Sequence, residues 1–215
     1  WSKEEMPSEG AAPFDETVIA YFKTIALGFE NGNGTEVTRR WQSDVRIYLA
    51  GSVDAGIRQK VAQTLQGLNE LIEININLSI VEDSTASNVY AYFGTANAYE
   101  QLFNDDLGNN AGYFTVFWSG DVINKARIFV AANGLTDAQE TSLILEEFTQ
   151  IMGLGKDAPI YSNSIFYETP SDPGFATEYS ERDRAIINLL YRPEMSVGLD
   201  AFTVDNRLRI MLDEG

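Results

Sequence analysis

Apolar residues recur at spacings of three and four across residues 13–29, where Phe14, Val18, Ile19, Phe22, Ile25, Ala26 and Phe29 fall on one helix face. The run Asn31-Gly32-Asn33-Gly34 supplies the stop, because Asn and Gly accept the left-handed conformation. Val45, Ile47 and Leu49 then alternate with Asp44, Arg46 and Tyr48, the period of two that predicts a half-buried strand before Gly51. Helical spacing returns with Ile57, Val61, Leu65, Leu68 and Leu71. Strict alternation follows over residues 74–80, so strand, helix and strand form a βαβ unit.

Farther on, residues 89–93 read as a strand and residues 99–103 as a short helical turn. The polar loop 104–110 leads into residues 113–118, and Ser119-Gly120-Asp121 turns the chain into residues 126–131, a β-hairpin pattern. Thr136 and Gln139 form a capping box that opens a helix running through Leu143, Ile144, Glu147, Phe148 and Ile151 to Gly153. A long irregular stretch, 154–179, precedes a second helix start at Ser180-Glu181-Arg182-Asp183. A short helix is predicted at 205–212, after Pro193. The expected organisation is an acidic tether at 1–12, one domain over 13–195 and a tail over 196–215, with no internal repeat. The order of elements predicts a mixed α/β (α+β) domain.

Composition narrows the chemistry. With 15 Lys+Arg against 32 Asp+Glu the formal charge is −17, which opposes nucleic acid as a partner because phosphate binding needs clustered cations. The chain has no His and no Cys. Ser-His-Asp and Cys-His machinery, disulfides and histidine-ligated zinc are therefore excluded within it. No run of 18 apolar residues is present to span a membrane as a helix. Ser2-Lys3-Glu4-Glu5 resembles the acidic stretch that follows the lipidated cysteine of surface lipoproteins in some Bacteroidetes, although position 1 here is Trp. The resemblance implies an extracytoplasmic location, with any membrane contact made through an N-terminal lipid anchor.

The segment from Glu146 to Asp157, EEFTQIMGLGKD, resembles the metzincin zinc-peptidase signature H-E-x-x-H-x-x-G-x-x-H, with Glu147 at the general-base position and Gly153 at the turn. Ser164, Ile165, Phe166 and Tyr167 resemble the Ser-Ile-Met-Tyr Met-turn, and residues 179–191 are similar to the last helix of that catalytic domain. The resemblance implies a mixed five-stranded sheet with an antiparallel edge strand, an active-site-type helix, a Met-turn-like loop and a C-terminal helix. Where that family places zinc-binding histidines this chain has Glu146, Gln150 and Lys156, and Phe166 replaces the Met. The chain is most similar to a bacterial extracytoplasmic family of unknown function that shares these features.

A conventional zinc site is thus not expected, and neither is any other cofactor. The expectation at the former metal position is that Lys156 fills the space, neutralised by Glu146, with Gln150 adding an amide oxygen. Glu147 is the one candidate catalytic base. The Glu146-Glu147 pair with loop oxygens would suit a hard cation such as Ca²⁺ or Mg²⁺, a reading that Lys156 opposes. The loops 31–36 and 104–110 are rich in oxygen donors but miss the EF-hand spacing and read as polar turns. In metzincins the substrate lies along an antiparallel edge strand, and Tyr113, Phe114, Thr115, Val116, Phe117 and Trp118 are the candidates for it here. The reading that follows is a pseudopeptidase that binds an unidentified protein or peptide partner, with residual hydrolysis or a purely structural envelope role as alternatives.

Overall fold

The computed structural model describes residues 15–30, 34–169, 171 and 174–213; the proposed tether 1–12, the helix start at Pro13 and Phe14 and the Asn31-Gly32-Asn33 stop lie outside them. Helix α1 (Glu16–Ala26) begins where the Asp15 carboxylate accepts from the backbone N–H groups of Thr17 and Val18. It buries Val18, Ile19, Phe22, Ile25 and Ala26, the face given by the apolar spacing. Strands β1 (Arg40–Trp41) and β2 (Val45–Gly51), helix α2 (Ala55–Leu71), and strands β3 (Leu78–Val81) and β4 (Val89–Gly94) follow. Helix α3 (Ala96–Phe103), strands β5 (Gly112–Ser119) and β6 (Val122–Ala131), and helices α4 (Asp137–Gln150), α5 (Glu181–Leu190) and α6 (Ala201–Asp213) complete the order.

The sheet has six strands rather than five, in the order β1-β6-β4-β2-β3, with β5 also on β6. The additional strand is β1, whose two residues are too few to display a period of two; it lies parallel to β6 through Arg40↔Val122 and Trp41↔Ile123. The other pairings along the path are parallel, including the β2-α2-β3 unit, and β5 runs antiparallel to β6. Gly120 and Asp121 at the β5–β6 turn both have positive φ, 56° and 63°, as a tight two-residue hairpin requires.

Several boundaries differ from the sequence pattern: α3 starts at Ala96 rather than 99 and β6 at Val122 rather than 126, and two further cases show their cause. Residues 74–77 alternate but form the return from α2: Asn77 N–H donates to the Asp44 carboxylate at 2.9 Å, and pairing starts at Leu78 opposite Val45. Helix α6 begins at Ala201 rather than 205, because Asp200 accepts from Thr203 N–H at 2.8 Å and caps it.

The pleat sends Ala91, Phe93, Ile128 and Val130 into the main core, which α1, α2, α4, α5 and α6 share. Phe129 on the opposite face joins Tyr99 of α3 and Leu107 in a smaller cluster. Val204 and Leu208 place α6 inside the main core, fully buried. Among the described residues no helix is long and apolar enough to cross a membrane.

Candidate functional site: a carboxylate-lined cleft

The site is organised by the end of α4. This helix carries the Thr136–Gln139 capping box, packs against β5 and β6, and buries Glu147, Phe148, Thr149 and Gln150 in its last turn. Its exit is held from outside: Trp41 Nε1 donates to the Ile151 carbonyl at 2.8 Å and the Tyr191 hydroxyl to the Met152 carbonyl at 2.7 Å. Gly153 then turns the chain with φ of +106°, and a Cβ there would stand 1.9 Å from the Arg39 carbonyl oxygen.

After this turn the backbone of Gly155 meets the segment leaving α1, with Glu30 N–H donating to the Gly155 carbonyl at 3.1 Å. That contact brings Glu30 to Asp157, whose backbone N–H donates to Glu30 Oε1 at 3.1 Å. Gln150 Nε2 donates to Asp157 Oδ1 at 2.9 Å. Carboxylate oxygens of Glu30, Asp157 and Glu168 all lie within 4.8 Å of one another.

These groups, with Glu146 and Glu147, wall a cavity of about 500 Å³ whose lining also includes Gly112, Tyr113 and Phe114 from β5. Gly112 packs closely against α4: a Cβ at this position would sit 2.2 Å from Glu147 Oε1, so that side chain would have to shift. Glu147 is only 5% exposed, and its Oε2 has no hydrogen-bond partner among the described residues. Burial raises Glu147 and Glu146 well above the usual carboxyl range, and neighbouring carboxylates push both further in the same direction. Asp157 is pushed up to about 8, first by burial and then by the charges of Glu30 and Glu168.

Lys156 does not fill a metal position. Its ammonium pairs with Glu36 at 2.7 Å, so the expected Lys156–Glu146 bridge is corrected. Glu36 is largely exposed, and pairing there spares the ammonium the desolvation that a place among buried groups would cost. A histidine-type zinc site does not fit these residues: Gln150 already holds Asp157, Lys156 turns away, and the chain has neither His nor Cys.

The Met-turn-like residues lie beside the cleft and serve packing. Ser164 Oγ donates to Asp183 Oδ1 at 2.5 Å and bonds the Tyr21 hydroxyl at 2.7 Å; Ile165 N–H donates to Asp183 Oδ2 at 3.2 Å. Phe166 is fully buried, and its carbonyl accepts from Ala158 N–H at 2.8 Å, which ties this loop to the segment carrying Asp157. Tyr167 is partly buried on the same loop, one residue before Glu168.

Along β5, Val116 is buried, Thr115 is partly buried, and Phe117 and Trp118 are exposed near the hairpin turn. Trp118 stacks on Phe29 with ring centroids 5.5 Å apart, and Phe114 meets Phe29 edge-on at 6.2 Å. In the polar loop, Asp105 pairs with Arg127 at 3.4 Å and Asp106 accepts from Gly108 N–H at 3.1 Å, which engages both carboxylates within the protein.

The residues not anticipated from sequence are Glu30, Asp157 and Glu168. Asp157 closes the signature-like segment without standing at one of the signature's matched positions, whereas Glu30 and Glu168 stand far from it in sequence, among 32 acidic residues with nothing to single them out.

No curated protein matches this chain. Two solved structures of myroilysin are similar to it at low identity. One is 13% identical with a TM-score of 0.45, covering 72% of this chain and 82% of that one. The other is 15% identical with a TM-score of 0.47, covering 78% and 94%. A family model described as "Protein of unknown function (DUF2927)" matches residues 15–210, and the chain belongs to that family.

Proposed function

We propose that the chain is a non-catalytic, metzincin-like module that holds an extended polypeptide in the cleft between β5 and α4, and that it acts outside the cytoplasm. The observation that carries this reading is the situation of β5. Among the described residues β5 pairs with β6 alone, and its first three residues line the carboxylate-walled cavity. A strand with one unpaired edge beside a pocket is what strand addition uses: main-chain hydrogen bonds give affinity, and the pocket selects side chains. Five carboxylates around this pocket favour a segment that carries Lys or Arg. The donor set at the signature-like positions is unsuited to histidine-type zinc hydrolysis, which supports binding over cleavage.

Immobilised chain, offered a mixture of peptides of varied charge, tests this reading by mass spectrometry. Basic peptides are expected to be retained at full length. Shortened products that disappear with Glu147→Gln, or no retention of any peptide, would overturn it. One observation favours a second reading, hydrolysis with Glu147 as proton carrier: its carboxyl is buried and shifted towards the protonated form, and its Oε2 has no hydrogen-bond partner among the described residues.

A further inference from the structure

We propose that Glu30, Asp157 and Glu168 form an oxygen-donor site for a calcium ion inside the carboxylate-lined cavity. This does not depend on the peptide-binding reading, and it departs from the sequence expectation of no metal. Three carboxylate oxygens from three separate segments lie within 4.8 Å of one another. Calcium binds oxygens at about 2.3–2.6 Å, so ligands on opposite sides of one ion stand up to about 5 Å apart, and all three groups can touch a single ion with little rearrangement.

Glu147 supplies an independent observation. It is 5% exposed, faces the same cavity, and leaves Oε2 without a donor. A buried carboxylate oxygen without a partner is costly, and a cation in the cavity offsets that cost. The nearest protein cation in sequence does not compete, because Lys156 is engaged by Glu36. Gln150 orients the Asp157 carboxylate through its 2.9 Å hydrogen bond, the kind of outer contact that fixes a ligand's direction. The donors are all oxygens, which suit hard cations. Glu30 and Glu168 are exposed and adjustable, so they favour the variable geometry of calcium over the strict octahedron of magnesium.

Calorimetric titration of the full chain with CaCl₂ after chelator treatment tests the site, with circular dichroism confirming that each variant is folded. One ion per chain is expected. Asp157→Asn and Glu168→Gln are each expected to weaken binding by at least about tenfold. Asp105→Asn, in the polar loop, is expected to leave affinity unchanged. The proposal is overturned by no calcium uptake at millimolar concentration, by equal affinity in the Asp157 and Glu168 variants, by loss of binding in Asp105→Asn, or by uptake of zinc or magnesium with calcium excluded.

Discussion

Lys156 gives its ammonium to Glu36 at 2.7 Å, and the carboxylate of the next residue, Asp157, is left to Gln150 at 2.9 Å. Two neighbouring residues thus face different partners, and the Lys156 ammonium is not available to neutralise Asp157. The pair with Glu36 is an exposed one, and such pairs add little to stability. Lys156→Ala is expected to leave the thermal midpoint essentially unchanged in differential scanning calorimetry. A large fall would show that the ammonium has a buried role after all.

Gly153 carries the opposite expectation. Its φ of +106° is strained for any other residue, and the 1.9 Å between a Cβ at this position and the Arg39 carbonyl oxygen leaves no room for a side chain. Gly153→Ala is expected to cost at least about 2–3 kcal/mol in urea denaturation, through backbone strain and displacement of β1.

Asp183 joins the capping box of α5 to the Met-turn-like loop. It accepts from Ser164 Oγ and Ile165 N–H, and from the N–H and hydroxyl of Ser180, although burial raises its pKa. Removing the carboxyl strands buried donors and breaks the reciprocal half of the capping box, leaving the Ser180 N–H without its acceptor. Asp183→Ala is expected to lose about 2–4 kcal/mol in the same assay, and Asp183→Asn less, because its amide oxygen still accepts.

The acidic cleft also fixes a pH dependence. Asp157 ionises near 8 in the folded chain against an ordinary 3.8, so between those values the folded state binds more protons than the unfolded one. Stability of the chelator-treated protein therefore falls as pH rises from about 4 to about 8, and this group adds no further change above that. Asp157→Asn is expected to flatten the slope and to be the more stable protein at pH 8. A wild-type slope unchanged by that substitution would contradict the assignment.

Much of the fold is legible in the chain because it rests on local chemistry. The apolar spacing of Val18, Phe22 and Ile25, the capping pairs Thr136–Gln139 and Ser180–Asp183, and the Ser119–Val122 turn each announce their element within a few residues. Strand β1 is silent because two residues carry no period, and residues 74–77 mislead because alternation does not reveal where pairing starts. The cleft is legible in part. Glu146, Glu147 and Gln150 follow from one helical stretch, whereas Glu30 and Glu168 arrive through the Gly155 contact and the long loop, which only the tertiary structure displays.

Peptide binding without cleavage is tested most directly by hydrogen–deuterium exchange of the full chain, with and without an excess of a basic peptide that it retains. The peptide's mass is read from the same tube. Ala131 N–H donates to the Ala111 carbonyl, and the antiparallel register continues through Gly112↔Val130 and Tyr113↔Phe129. Alternate residues of β5 therefore bond β6, and the amides of Gly112, Phe114 and Val116 point to the unpaired edge. Slowed exchange at Phe114 and Val116 with the peptide intact is the expected result. Unchanged exchange at these amides, or peptide fragments accumulating with time, would contradict it.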